Sequence, residues 1–223
     1  MTTADHELDA RLIDALSDAR SSTRLRAALM AGTHPGARLV APLVARCAIE
    51  PDFFVRDMLT WALVRQPAET TVPRLLAELG SATAQARGQA LHTLSKIGDP
   101  IVWPAIPPLL DDADDEVARS AWRAAVALVP PGHEAALAAR LAAHLGRGDN
   151  ETRLSLSRAL IVLGDTVPSL LSAATGDADP AVRAHAIATE QLLLDPGSEF
   201  ATAVEHAQRI ALTQSAPAGG PRC

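Results

Sequence analysis

The stretch DADPAVRAHAIA, Asp177 to Ala188, decides how this chain folds, because close variants of it return at nearly fixed intervals. DADDEVARSAWRAAVAL at 112–128 and PDFFVRDMLTWAL at 51–63 share its plan: acidic or small polar residues, then an apolar run at helical spacing. The plan aligns on a ladder of positions, Arg24, Arg56, Arg87, Ala118, Arg153 and Arg183, with steps of 32, 31, 31, 35 and 30 residues. Three places after each lies an apolar residue: Ala27, Leu59, Ala90, Ala121, Leu156 and Ala186. Further apolar residues follow near seven and ten places on, as at Leu94 and Ile97. This is the stripe of an amphipathic helix, here termed B.

Half a repeat away runs a second ladder. Pro42, Pro73, Pro104 and Pro168 stand at matching places in LVAPLVA, TVPRLLAEL, IVWPAI and TVPSLLSAA, with Ala135 in the slot before Pro168. Proline is accepted in the first turn of a helix, where its missing N–H has no partner to lose. Each therefore predicts the start of a first helix, A, and each repeat becomes a helical hairpin. Ile97-Gly98-Asp99-Pro100 and Leu163-Gly164-Asp165 predict where B helices end, on a glycine able to turn left-handed. Carboxylates in Asp111 to Glu116 and in Asp177-Ala178-Asp179 are placed to cap the B-helix N-termini. The 35-residue step predicts an insertion, at 130–132 or at 146–148.

This pattern resembles the HEAT repeat family, in particular its short PBS-lyase-like type, in which a proline-led helix precedes a D-x-x-V-R-x-x-A-x-x-A-L segment and G-D. The resemblance covers about residues 5–210 and implies an all-α solenoid of about six HEAT-like hairpins. Domain limits follow: a tail at 1–4, one solenoid domain at 5–213 and a flexible Pro, Gly and Ala-rich tail at 214–223. The resemblance further implies that the recurrent arginines act structurally, between neighbouring repeats, and that the B helices line the concave face.

Once the core stripe is assigned, the B positions left over lie one, five and nine places after the ladder, along one helical face. They include Trp61, Arg65, His92, Lys96, Arg119, Arg123 and Arg158, a basic set with an indole and an imidazole. Arginine suits carboxylate or phosphate and tryptophan is a rigid apolar anchor, so these seven form the candidate partner-binding face, fitted to an acidic or amphipathic protein segment. An equally physical reading pairs Arg123 and Arg158 with nearby acids and packs Trp61 between hairpins. Trp103 and Trp122 read as packing residues of the fourth repeat.

Composition narrows the function classes. A net charge of −6 argues against general attraction to nucleic acid or acidic membranes. No apolar run is long enough for a membrane span and the N-terminus is too polar for a signal peptide, which predicts a cytoplasmic protein. With no tyrosine, three Phe and three Trp, the core must be filled chiefly by Ala, Leu and Val. Cys47 and Cys223 lack metal-ligand spacing, and Cys47 reads as a buried apolar residue. No two of the seven histidines stand four apart, so no metal is expected. His133-Glu134 lacks the second histidine of a zinc-protease helix, Glu205-His206 reads as a surface pair, and nucleophile-elbow, P-loop and dinucleotide motifs are absent from the sequence. These features predict a protein without cofactor or catalytic constellation, acting as a protein-interaction scaffold or adaptor on its concave face. The alternative, implied by resemblance to HEAT-like DNA glycosylases, is nucleic-acid binding in a basic groove.

Overall fold

The computed structural model describes residues 3–196 and 204. The C-terminal tail at 214–223, Cys223 and the Glu205-His206 pair lie outside the described residues. The described chain is all-helical, and Cα packing divides it into two compact units, 1–128 and 129–223.

In the first unit, α1 (Thr3–Ala15) pairs with α2 (Ser21–Thr33), α3 (Ala37–Cys47) with α4 (Phe53–Val64), and α5 (Ala68–Glu78) with α6 (Ala84–Ile97). The fourth A element is a pair of 3-10 segments, Pro100–Ala105 and Pro107–Leu109, packed on α7 (Asp115–Leu128). The A elements contact one another in order, α1 to α3 to α5 to Pro100–Ala105, and so do the B helices, α2 to α4 to α6 to α7. Two parallel layers result, with the apolar stripes between them: Leu39, Leu43, Leu59, Leu63, Leu91, Leu94, Ala121 and Trp122 are all fully buried. A lone hairpin could not cover such a stripe, so stacking is what makes each repeat stable. The second unit repeats the arrangement with α8 (Glu134–Ala142), α9 (Asn150–Val162), α10 (Val167–Ala174) and α11 (Pro180–Leu194), where α8 contacts α10 and α9 contacts α11. Val204 is buried with Ala188 and Leu192 in that unit's core.

The ladder position proves to be the fourth residue of every B helix, where its N–H bonds the carbonyl four residues back, as Arg56 does to Asp52 at 3.0 Å and Ala118 to Asp114 at 3.0 Å. A shared turn precedes it. The side chain six places before the ladder accepts the N–H two residues on, in Asp18 to Arg20, Glu50 to Asp52, Asp112 to Asp114 and Asp177 to Asp179. The ladder guanidinium closes the same turn by donating to its carbonyls: Arg24 to Asp18 and Ala19, Arg56 to Glu50 and Pro51, Arg87 to Ser81 and Ala82, Arg183 to Asp177 and Ala178. Arg24 and Arg87 also reach the next repeat, each with two hydrogen bonds to one carboxylate, Glu50 at 2.7 Å and Asp112 at 2.9 and 3.0 Å. The arginines are thus structural fasteners. Carboxylate caps occur at Asp52, Asp114, Asp149 and Asp179, and Gly98 ends α6 with φ 76°.

Two glutamines add ties between repeats. Gln66, at the end of the second hairpin, donates to the Ala31 and Ala62 carbonyls and accepts from the Gly36 N–H. Gln85, at the start of α6, donates to the carbonyls of Cys47 and Glu50.

Two expectations about the A elements need correction. Pro42 and Pro73 stand at the sixth place of α3 and α5, not in the first turn, because these helices begin after Gly36 and Pro67. Each removes a bond to the carbonyl four residues back, on Arg38 and Glu69, both exposed residues whose carbonyls water can serve. In the fourth repeat Pro100, Pro104, Pro107 and Pro108 leave too few N–H donors for an α-helix, and tighter 3-10 turns form instead. Of the four ladder prolines, Pro168 alone occupies the first turn of an α-helix. The insertion falls at both candidate places: the connection at 129–133 and the turn at 143–149 are each two residues longer than their usual counterparts, such as 65–67 and 48–52.

Candidate functional site

The B layer of the first unit places Trp61 and Arg65 on α4, His92 and Lys96 on α6, and Arg119 and Arg123 on α7. Trp61 is half-buried, with its ring seated against Gly32 of α2: a Cβ at Gly32 would come within 2.1 Å of the indole. The Arg65 guanidinium lies over the same ring, 4.8 Å from its centroid, and donates through Nε to the Gly32 carbonyl at 2.9 Å. The packing and binding readings of Trp61 therefore meet in one residue. Gly32 fixes one side of the indole, Arg65 lies on the ring, and part of the side chain remains exposed to solvent.

His92 joins the neighbouring helices. Burial lowers its pKa, and the Lys96 and Arg123 cations lower it further against the opposing pull of Asp57. Asp57, His92, Lys96 and Arg123 thus share one electrostatic neighbourhood drawn from α4, α6 and α7. Lys96 and Arg123 are exposed, and Arg123 also donates to the Ser120 hydroxyl at 3.2 Å. Arg119 departs from the expected set. It is only 8% exposed and donates to Glu116 at 3.0 Å, in a stretch of α7 where Val117, Ala118, Ser120, Ala121 and Trp122 are buried as well. Arg158 is exposed on α9, in the second unit.

Sequence reasoning missed an apolar extension of this face. Phe53 and Phe54, at the start of α4, are 66% and 73% exposed, pack edge to face at 5.7 Å, and carry Arg56 over the Phe53 ring. Leu29, at the Trp61 position of α2, is 44% exposed. A signal was present. The two places that Phe53 and Phe54 occupy hold Ser21-Ser22, Ala84-Gln85, Asp115-Glu116, Asn150-Glu151 and Pro180-Ala181 in the other repeats, all small or polar pairs.

The second unit contains a serine–histidine contact that calls for a chemical reading. His185 Nε2 lies 3.0 Å from Ser157 Oγ and 3.0 Å from the Arg153 carbonyl, while Nδ1 accepts the Gly146 N–H at 2.9 Å. Nδ1 is thus the acceptor and Nε2 carries the proton. Thr189 donates to the His185 carbonyl at 2.8 Å, so Ser157 donates to Thr189 at 2.7 Å. The imidazole has no lone pair directed at the serine and cannot act as its base. Burial pushes its pKa down to about 4, and the group is a buried polar pin between α9 and α11. Cys47 is likewise unsuited to nucleophilic work, since burial pushes its thiol up to about 12.

No protein-family model matches the chain, and no curated protein matches it in sequence. Among solved structures it is similar to human deoxyhypusine hydroxylase in complex with glycerol, at 19% identity over 94% of this chain and 96% of that one, with a TM-score of 0.48. It is also similar to an engineered protein at 18% identity over 93% of this chain and 97% of that one, with a TM-score of 0.32. Deoxyhypusine hydroxylase is an enzyme of the HEAT-repeat, all-helical type. With an enzyme as its structural neighbour, the reading of this chain as a non-catalytic scaffold, with glycosylase-like nucleic-acid binding as its alternative, is not upheld.

Proposed function

We propose that the chain is an array of HEAT-like repeats of the short PBS-lyase-like type, and that the B-helix face of its first unit recognises an acidic polypeptide segment. The recurring arginine-closed turn supports the family reading. The observation that carries the functional one is the gathering of Arg65, Lys96 and Arg123 on three successive B helices. Asp57 is the one carboxylate among the twelve residues one, five and nine places after the ladder on α2, α4, α6 and α7. A basic patch on a protein of net charge −6 is a selective feature, because a partner's carboxylates are drawn to it while the rest of the surface repels them. Recognition of this kind serves a catalyst as well as a binding protein. Cys47 as a free thiol suits the cytoplasmic setting that belongs to the same reading.

The test is fluorescence anisotropy with a labelled Glu/Ala peptide of about 16 residues against its Lys/Ala counterpart, at about 50 mM salt, where screening is weak. The acidic peptide binds in preference, and K96E/R123E weakens it by at least about tenfold while circular dichroism melting is retained. Equal affinity for the two peptides, or a double variant that binds as well as the parent, overturns the assignment.

A further inference from the structure

We infer that the segment recognised on this face is amphipathic, with apolar side chains that dock on the Phe54 end of α4 and acidic ones that meet Arg65 and Lys96 at the other end. This rests on the acidic-segment reading above and adds a second chemistry to it. On a helix of 3.6 residues per turn, Phe54, Met58, Trp61 and Arg65 fall within about 60° of one another, so they form one stripe along α4. The stripe spans about 16 Å from Phe54 to Arg65. Its composition changes along that length: the exposed Phe54, with Phe53 packed against it from beside the stripe, then the half-buried Met58 and Trp61, then a cation. Lys96 occupies on α6 the place that Arg65 occupies on α4, so the basic end continues onto the neighbouring helix. The middle of the stripe continues toward α2, where Leu29, at the Trp61 position, is exposed.

Phe53 and Phe54 are not needed for the fold at that point. Asp52 already caps α4 by accepting from the N–H groups of Phe54 and Val55 at 2.9 and 3.2 Å, and the other B helices begin with small or polar pairs. The aromatic rings project where the core does not use them, in a chain with three phenylalanines in all. A purely acidic ligand would leave these rings in water, and a purely apolar one would leave Arg65 and Lys96 unmatched. A segment carrying both covers the stripe with complementary groups throughout.

Two labelled peptides separate the possibilities, each of about 16 residues to match the stripe in helical form: the Glu/Ala peptide above, and one of equal charge with Leu and Phe grouped at one end. The inference expects the second to bind at least about tenfold tighter. F53S/F54S should abolish that advantage and leave the Glu/Ala peptide unchanged, whereas K96E/R123E weakens both. If the two peptides bind alike, or F53S/F54S changes neither, the apolar half is refuted while acidic recognition stands. Loss of discrimination between acidic and basic peptides refutes both together. Should sedimentation show a dimer of the chain that F53S/F54S dissolves, the aromatic end belongs to a second copy and the inference fails.

Discussion

Replacing Glu50 by glutamine removes the charge on which the turn between α3 and α4 is built. The Glu50 side chain has no solvent exposure, and it accepts from Arg24 twice at 2.7 Å, from Arg46 at 2.7 Å and from the Asp52 N–H at 3.0 Å. Burial alone would raise its pKa, but the hydrogen bonds from Arg24, Arg46 and Asp52 outweigh burial and hold it at about 2, against an ordinary 4.5. A carboxyl displaced that far contributes about 3 kcal/mol at neutral pH. Removing one partner of a buried pair costs about 3–5 kcal/mol, which agrees. With about 2–4 °C per kcal/mol for a chain of this size, the variant should melt roughly 10 °C lower. The sign with pH follows from the depressed pKa: the contribution is whole above about pH 4.5 and is lost as pH falls toward 2. Circular dichroism melts of parent and E50Q should therefore differ widely at pH 7 and converge near pH 2.5. Melting points within 1 °C at neutral pH, or a gap that does not close in acid, would refute the account of Glu50 as the charged centre of that turn.

Gly32→Ala forces a Cβ into the Trp61 ring, and the displacement should cost about 1–3 kcal/mol by overpacking. Its readout is a changed tryptophan emission maximum together with a lower melting point, both absent if the indole does not rest on Gly32. Gly146 has φ 87°, and an added Cβ would lie 3.1 Å from the Val182 N; G146A should lose about 1–3 kcal/mol in denaturant unfolding, and an unchanged midpoint counts against the described turn. His185 is neutral in the fold and titrates at about 4, against 6.5 unfolded, so the unfolded chain binds the extra proton between those values. Its contribution of up to about 3 kcal/mol is whole above pH 6.5 and declines as pH falls toward 4. H185N should flatten the stability profile in that window, and a profile that stays as steep contradicts the assignment.

The B helices were legible in the sequence because their pattern is local. A ladder residue, its turn and the apolar place three residues on all lie within a dozen positions, and Ala27, Leu59, Ala90, Ala121, Leu156 and Ala186 are all buried as the spacing predicts. The A elements were read less well. Proline marks where a helix is interrupted as readily as where it starts, and the starts of α3 and α5 lie five residues before Pro42 and Pro73. The exposure of Arg65, Lys96 and Arg123 was legible, since helical spacing alone separates them from the apolar stripe. Burial of Arg119 was not, because it follows from how α7 is covered by its neighbours. The exposure of Phe54 also depends on what fails to cover it, and helical periodicity carries no such information.

The glutamine ties have a consequence for how such an array is altered. Gln66 reads one carbonyl of α2 and one amide of the connection after it, and Gln85 reads two carbonyls of the hairpin before it, so each hairpin presents its neighbour with a particular set of backbone groups at a particular height. Excising the second hairpin and joining the first directly to the third would remove Gln66 along with that hairpin and leave the Gln85 amide without the Cys47 and Glu50 carbonyls it bonds. The hairpins are therefore cousins with assigned seats, and shortening the chain by one of them demands rewriting the residues at the seam as well as closing the gap.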